Sequence, residues 1–68
     1  MYYVCQISNN LLGQMDEVET EEEAVDLLLK IVEENGVEIS EEVKQEVKET
    51  YAYLDESKEW SVCIGIVG

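Results

Sequence analysis

The two ends of this sequence carry no charged side chains. All seventeen acids and all four lysines fall between Asp16 and Glu59, so residues 1–15 and 60–68 are uncharged. A chain of 68 residues buries a smaller fraction of its surface than a large protein does, so its core must come from its most apolar stretches. We therefore expect residues 1–68 to form a single domain, in which the two ends make the core and the middle makes the surface.

Both ends have the character of β-strands. YYVCQIS (2–8) is rich in aromatic and β-branched residues, and the two asparagines after it can adopt the positive φ of a turn. WSVCIGIV (60–67) alternates large residues, beginning at Trp60, with smaller ones, which is the two-residue period of a strand. LLGQMDEVE (11–19) predicts another strand on weaker evidence, because it contains a glycine and alternates poorly. We expect the two uncharged strands to lie side by side inside a sheet.

The acidic stretch DEVETEEE (16–23) contains the start of a helix. Thr20 and Glu23 have the spacing of a capping box, in which each side chain accepts a hydrogen bond from the other residue's backbone N–H. The two glutamates between them place negative charge at the positive end of the helix dipole. Helix chemistry therefore accounts for TEEE and leaves the carboxylates before Thr20 without a structural role.

The same helix is predicted to end at Asn35-Gly36. Gly36 can adopt the left-handed conformation, and Val37 would then fold back on Val32 in a Schellman motif. The apolar residues between the two ends recur at helical spacing and predict one buried face. That face consists of Ala24, Leu27, Leu28, Ile31 and Val32.

A second helix is predicted from Ser40, a favourable N-cap residue that is followed by two glutamates. Apolar residues after it recur at helical spacing and favour a helix that runs to about Leu54. The alternative is a hairpin in which YAYL (51–54) pairs with the last strand. In both cases DESKE (55–59) forms a solvated turn. The residues that carry the helical spacing are Val43, Val47, Tyr51 and Leu54.

These elements predict an α/β (α+β) fold. We expect a small, mainly antiparallel sheet of two to four strands with two helices packed on one face, in the order β(β)ααβ. The last strand is apolar on both of its faces, so helices on one side would leave the other side partly uncovered. An uncovered apolar face of this kind usually contacts a partner or a second copy of the chain.

The residue types predict a non-enzymatic protein without a cofactor or a metal. The chain has no histidine and no arginine, and no glycine-rich loop precedes a helix. Neither DEVETEEE nor DESKE has the spacing of a calcium loop. Cys5 and Cys63 lack an activating neighbour in the sequence, and two thiols without histidine cannot complete a zinc site within one chain. We interpret them as small buried residues, or as a disulfide if the terminal strands are neighbours.

The charge balance indicates which partners are feasible. With a formal net charge of −13 the chain would repel phosphates, which argues against direct binding of nucleic acid and favours a basic protein partner. No basic leader and no long apolar run indicates a signal peptide or a membrane span. We therefore expect a cytoplasmic protein that does not enter a membrane.

We predict a non-enzymatic acidic binding protein that docks on a basic protein surface and blocks nucleic acid from binding there. A duplex carries about one negative charge per 1.7 Å of axis, and the carboxylates outside the helix caps could approach that density locally. The alternative is a small dimeric interaction or structural module whose acids only solvate its exterior. The candidate partner-binding residues are Asp16, Glu17, Glu19, Glu38, Glu46, Glu49, Asp55, Glu56 and Glu59.

As a whole, the chain resembles the small acidic α/β proteins with which bacteriophages and other mobile elements inhibit host machinery, including anti-CRISPR proteins and other DNA mimics. The resemblance rests on the length, the TEEE and SEE helix starts, the uncharged terminal strands and the excess of carboxylates. It implies inhibition by steric and electrostatic occupation of a target in the cytoplasm of the host cell, without catalysis or cofactor. It assigns no functional residue.

Overall fold

A computed structural model of the chain describes residues 1–8, 11–55 and 59–66. These ranges contain four strands and two helices, which confirms the predicted α+β fold. The turn expected at Asn9 and Asn10, most of the turn expected at 55–59, and the end of the last predicted strand at Val67 lie outside the described residues. In chain order the elements are β1 (Tyr2–Ser8), β2 (Leu11–Val18), α1 (Glu21–Glu34), α2 (Glu41–Thr50), β3 (Ala52–Asp55) and β4 (Trp60–Ile66).

The strands form one antiparallel sheet in the order β2-β1-β4-β3. As predicted, the uncharged strands β1 and β4 occupy its centre. Tyr2 lies opposite Ile66 and Ser8 lies opposite Trp60, so these two strands pair along their whole length. A central strand is desolvated by neighbours on both edges, where an unpaired charge would be costly. The central position of the two strands therefore accounts for the absence of charge in residues 2–8 and 60–66.

The core lies between one face of the sheet and the two helices. From the sheet, Val4 and Val62 are fully buried, and Trp60 packs at a tilt against Tyr53 with 6.2 Å between ring centroids. From α1, Leu28 is fully buried at the centre of the predicted stripe. No polar or charged side chain of the described residues is buried. The other buried residues are Ala24, Val25, Ile31, Val32 and Val47, with Leu27 half-buried beside them.

A change of register explains why β2 alternates poorly in the sequence. Cys5 of β1 lies opposite Met15, whereas Ile7 lies opposite Leu12. Residues 13–14 of β2 therefore oppose a single residue of β1, which is the arrangement of a β-bulge. The extra residue reverses the faces on which the residues before and after it lie. The two-residue period of β2 consequently changes phase in the middle of the strand.

The Thr20 half of the predicted capping box and the predicted Schellman motif are both present in α1. The Thr20 hydroxyl accepts a hydrogen bond from the backbone N–H of Glu23 at 3.2 Å. At the other end Gly36 has a φ of 87°, and its N–H donates to the carbonyl three residues before it at 3.0 Å. The N–H of Val37 donates to the carbonyl of Val32 at 3.4 Å. These two backbone bonds define the Schellman motif.

The prediction that the second helix runs to about Leu54 is wrong. α2 begins after the predicted cap Ser40 and ends at Thr50, because Tyr51 adopts the left-handed conformation with a φ of 55°. The N–H of Tyr51 still donates to the carbonyl of Val47 at 2.8 Å, which closes the last turn. β3 follows at once and pairs with β4. The hairpin alternative is therefore the correct one.

The residues of β3 alternate between the two faces of the sheet. Tyr53 lies on the helix side of the sheet, where it packs against Trp60. Leu54 lies on the other side and is 61% exposed, so the helical spacing fails at its last member. A helix over the same residues would also leave the outer edge of β4 without backbone partners, which is costly for an apolar strand.

The face of the sheet that points away from the helices is uncovered, as expected. Leu12, Met15 and Leu54 on this face are between 50% and 61% exposed. Among the described residues of this face, Glu17 carries a charge and the others are uncharged. We call it the open sheet face, and it consists of Tyr3, Cys5 and Ile7 in β1, Leu12, Met15 and Glu17 in β2, Ala52 and Leu54 in β3, and Ser61, Cys63 and Gly65 in β4.

Candidate acidic binding surface

The described carboxylates all lie at the surface. Asp16 and Asp55 are half-buried, and the other described acids are exposed. The described residues contain no group of three or more side chains that could together hold a metal ion. The acids therefore present charge outward, to solvent or to a binding partner.

A group of four exposed carboxylates lies on the outward side of α2. The helix is started by the Ser40 hydroxyl, which accepts from the N–H of Val43 at 3.3 Å, and its inner side is held in the core by Val47. Residues three and four apart then share the opposite side. Gln45 lies among them and donates to Glu49 at 2.8 Å. We define the α2 acidic face as Glu41, Glu42, Glu46 and Glu49, which are exposed and line a shallow surface depression together with Gln45.

Sequence reasoning found half of this face. Glu46 and Glu49 are predicted partner-binding residues, and the structure brings them together. Glu41 and Glu42 are explained in the sequence as first-turn acids, so their contribution to the face was missed. The spacing of Glu42, Glu46 and Glu49, four and three residues apart, is the signal that could have found it.

The other predicted partner-binding residues that the structure describes lie outside α2. Several of them belong to β2 and β3, the two opposite edges of the sheet, whose axes are roughly 14 Å apart across the two central strands. Glu56 lies outside the described residues. The remaining ones are Asp16 and Glu17 in β2, Glu19 directly after it, Asp55 in β3, Glu59 directly before β4, and Glu38 in the segment between the helices.

The carboxylates at the β2 edge have two different environments. Asp16 lies on the helix side of the strand and accepts hydrogen bonds from the Gln14 side-chain amide at 3.2 and 3.3 Å. Glu17 lies on the open sheet face, directly opposite Tyr3. The charge of Glu17, with some burial and a hydrogen bond, raises the pKa of the Tyr3 hydroxyl. The two neighbouring acids therefore point to opposite faces and do not form one patch.

A tertiary hydrogen bond joins the end of α2 to the start of α1. The hydroxyl of Tyr51 donates to the carboxylate of Glu21. This bond, and then the charge of Glu21, raises the pKa of the Tyr51 hydroxyl. Because Tyr51 also ends α2, the bond helps to fix the orientation of the α2 acidic face relative to the rest of the molecule.

Comparisons with protein-family models, with curated proteins and with solved structures found no match to this chain. Within residues 1–8, 11–55 and 59–66, no helix is both long enough and apolar enough to cross a membrane. The chain itself presents two candidate binding surfaces, the α2 acidic face and the open sheet face.

Proposed function

We propose that this protein is a non-enzymatic acidic binding protein that docks on a basic protein surface through the α2 acidic face. The observation that carries the proposal is the grouping of four exposed glutamates on one side of a helix of ten residues. With a net charge of −13, the whole molecule would add long-range attraction to a basic partner. We place the interaction in the cytoplasm, of the host cell if a phage encodes the chain.

The charge spacing suggests what the partner normally binds. From Glu41 to Glu49 an α-helix rises about 12 Å, so the four glutamates of the face average about one carboxylate per 4 Å of its axis, at intervals of about 1.5, 6 and 4.5 Å. One strand of a DNA duplex carries a phosphate about every 3.4 Å. The ammonium of Lys44 lies 3.7 Å from the Glu41 carboxylate and offsets part of this charge. A protein groove that holds a phosphate backbone would therefore meet a comparable but lower charge density here. We propose that the partner is a nucleic-acid-binding protein and that docking keeps nucleic acid from it.

The experiment compares two variants of equal charge. In the first, Glu41, Glu42, Glu46 and Glu49 are replaced by glutamine, which keeps the helix and removes the charge of the face. In the control, the four acids Glu22, Asp26, Glu33 and Glu34 on the exposed side of α1 become Gln or Asn. Each tagged protein, and the unmodified one, is used to capture partners from a lysate of the natural host, and bound material is eluted with rising salt.

We expect the unmodified protein and the α1 control to retain the same basic partner, released at moderate salt. The α2 variant should bind that partner about tenfold more weakly or worse, since four surface ion pairs contribute up to about 1 kcal/mol each. Addition of the unmodified protein should also displace nucleic acid from the purified partner. Equal loss in both variants would show that net charge, and not the α2 acidic face, determines binding. Salt-insensitive capture would contradict the whole proposal.

The open sheet face favours a second candidate function, self-association into a dimer. Three strands of seven or eight residues and one of four residues cover roughly 400 Å² from each copy. The total of about 800 Å² falls short of the 1,200 Å² of a standard interface, so the dimer would be weak. The two copies carry like charge, so salt should strengthen this dimer, whereas it should weaken the contact with a basic partner.

Sedimentation at increasing salt tests the dimer. Leu12→Lys places a charge on the open sheet face, whereas Leu11→Lys places it on the other side of β2, where Leu11 is 72% exposed. We expect the Leu12 variant to remain monomeric and the Leu11 variant to associate as the unmodified chain does. A monomer at all salt concentrations, or equal effects of the two variants, would rule this function out.

A further inference from the structure

The two cysteines meet on the open sheet face. Cys5 of β1 lies directly opposite Cys63 of β4 in the antiparallel register, and both are half-buried. The condition for a disulfide that the sequence leaves open, neighbouring terminal strands, is therefore met. Both thiols are free in the structure.

The backbone hydrogen bonds determine how far apart the two cysteines lie. The N–H of Ile64 donates to the carbonyl of Tyr51 at 2.8 Å, so the backbone groups of Ile64 face β3. Consecutive residues of a central strand face its two neighbours in turn, so those of Cys63 face β1. Cys63 and Cys5 therefore form a hydrogen-bonded pair, whose Cα atoms are about 5.5 Å apart in a regular sheet. Disulfides most often span about 5.5 to 6 Å between Cα atoms, which this pair matches. They also bring the Cβ atoms to about 3.5 to 4.5 Å, whereas opposite residues of a hydrogen-bonded pair have Cβ atoms about 5.5 Å apart, so closure requires the two strands to shift locally toward each other.

The two thiols also influence each other. Burial raises the pKa of the Cys5 thiol, and the charge of Cys63 and a hydrogen bond with it raise this pKa further. The thiolate is the form that attacks a disulfide, and a raised pKa leaves little of it at neutral pH. Thiol–disulfide exchange at this pair should therefore be slow at neutral pH and faster in alkali.

We propose that Cys5 and Cys63 are a modification site, at which a low-molecular-weight disulfide produces a cross-strand disulfide between β1 and β4. First, the thiolate of one cysteine attacks a sulfur of the small disulfide, which gives a mixed disulfide and releases one small thiol. The thiolate of the other cysteine then attacks the protein sulfur of this mixed disulfide and releases a second small thiol. The protein loses two electrons and two protons, and the two released thiols carry them.

The bond would covalently close the chain between its two central strands. The closed segment contains β2, β3 and both helices, so it removes many conformations from the unfolded chain. The oxidised protein should consequently unfold at a higher temperature than the reduced one. A small thiol would reopen the bond, so the stability of the protein would follow the redox state of its surroundings.

The experiment equilibrates the full chain with mixtures of oxidised and reduced glutathione and measures the intact mass. We expect the mass to fall by two hydrogen atoms, without a retained glutathione and without disulfide-linked dimers. Two free thiols should disappear together in an alkylation assay, and the melting temperature should rise. Dithiothreitol should reverse all of these changes, and closure should be faster at pH 9 than at pH 7.

The control moves one thiol without changing the composition. Ser61→Cys combined with Cys63→Ser keeps both thiols on the open sheet face, but places the second one diagonally to Cys5. The Cα atoms of diagonal positions are roughly 7 to 8 Å apart, which exceeds the usual Cα–Cα distance across a disulfide. We expect this variant to accumulate glutathione adducts and to remain open. Adducts or unreacted thiols on the unmodified chain, or equal closure of the exchanged variant, would overturn the proposal.

Discussion

At the scale of single residues, Tyr51 combines three roles. Its left-handed backbone ends α2, its ring packs against the edge of the core, and its hydroxyl donates to Glu21 at the start of α1. A left-handed conformation costs a non-glycine residue about 1 kcal/mol or more. The packing of the ring and the hydrogen bond to Glu21 offset this cost. A glycine at the same position would avoid the cost but would make neither contact.

The hydrogen bond of Tyr51 predicts how stability depends on alkaline pH. Because Glu21 raises the pKa of the folded Tyr51 hydroxyl, the unfolded chain releases this proton first as the pH rises above about 10. The contribution is therefore complete below the unfolded pKa and is lost as the pH approaches the raised folded value. Denaturant unfolding between pH 8 and pH 11 should show this decline, and Tyr51→Phe should reduce its slope. The part of the decline in stability that is due to Tyr3 should persist in the Tyr51 variant, and Tyr3→Phe identifies that part. An unchanged slope in the Tyr51 variant would show that the bond does not form.

At the scale of elements, the chain begins and ends its helices with local chemistry. The N-cap hydroxyls of Thr20 and Ser40 each accept from the backbone N–H three residues on, and Gly36 completes the end of α1. Such caps depend on residues close in sequence, which is why the sequence predicts them well. They matter in so small a chain, since 68 residues correspond to roughly 3 to 10 kcal/mol of total stability.

Replacement of the α1 cap tests this account. Thr20→Ala should lower the free energy of unfolding by about 1 kcal/mol, because the N–H of Glu23 loses its acceptor. Thr20→Ser keeps a hydroxyl in the same place and should cost much less. Urea denaturation of the three proteins provides the comparison. Equal effects of alanine and serine would mean that the hydroxyl contributes nothing.

The errors of sequence interpretation fall where distant contacts outweigh local pattern. The predicted helical spacing does bring Val43, Val47 and Tyr51 to the core. The helix nevertheless ends before Leu54, because residues 52–55 pair with the outer edge of β4. Nothing in the sequence near Leu54 indicates that pairing. The alternation of β2 is obscured in the same way, because the bulge at residues 13–14 becomes visible only once its pairing with β1 is known.

The sequence predicts that the candidate site consists of carboxylates, but it does not predict which carboxylates lie together. Composition alone indicates a surface of carboxylates, and the structure keeps every described acid out of the core. Their grouping depends on which edge of the sheet each strand occupies. Since β2 and β3 lie at opposite edges, carboxylates that the sequence treats together are separated, whereas four of those on α2 share one side of the helix.

At the scale of the whole molecule, the main property is a large excess of negative over positive charge. The chain extends about 33 × 29 × 18 Å and carries a net charge of −13. At 0.01 M salt the screening length is about 30 Å, so all of its carboxylates repel one another, whereas at 0.15 M it is about 8 Å and the repulsion becomes local. The folded state should therefore depend on ionic strength more than that of a balanced protein of this size.

Thermal unfolding at constant low protein concentration tests this dependence. An increase from 0.01 to 0.15 M sodium chloride should raise the stability by about 1 kcal/mol, which is roughly 4 to 8 °C in melting temperature. The control in which Glu22, Asp26, Glu33 and Glu34 are neutralised should respond less, because part of the repulsion has been removed. A melting temperature independent of salt would show that the acids are too far apart to interact.

The adjacency of β1 and β4 also determines when the protein can fold as it is synthesised. A nascent chain that ends before Trp60 already contains both helices and the β1–β2 hairpin, but the strand that belongs between β1 and β3 is missing. Its apolar partners stay exposed until residues 60–66 leave the ribosome. Folding is therefore completed late and depends on contacts between residues far apart in sequence, which slows folding relative to a helical bundle of the same length. During this interval the negative charge of residues 16–59 should oppose association between growing chains.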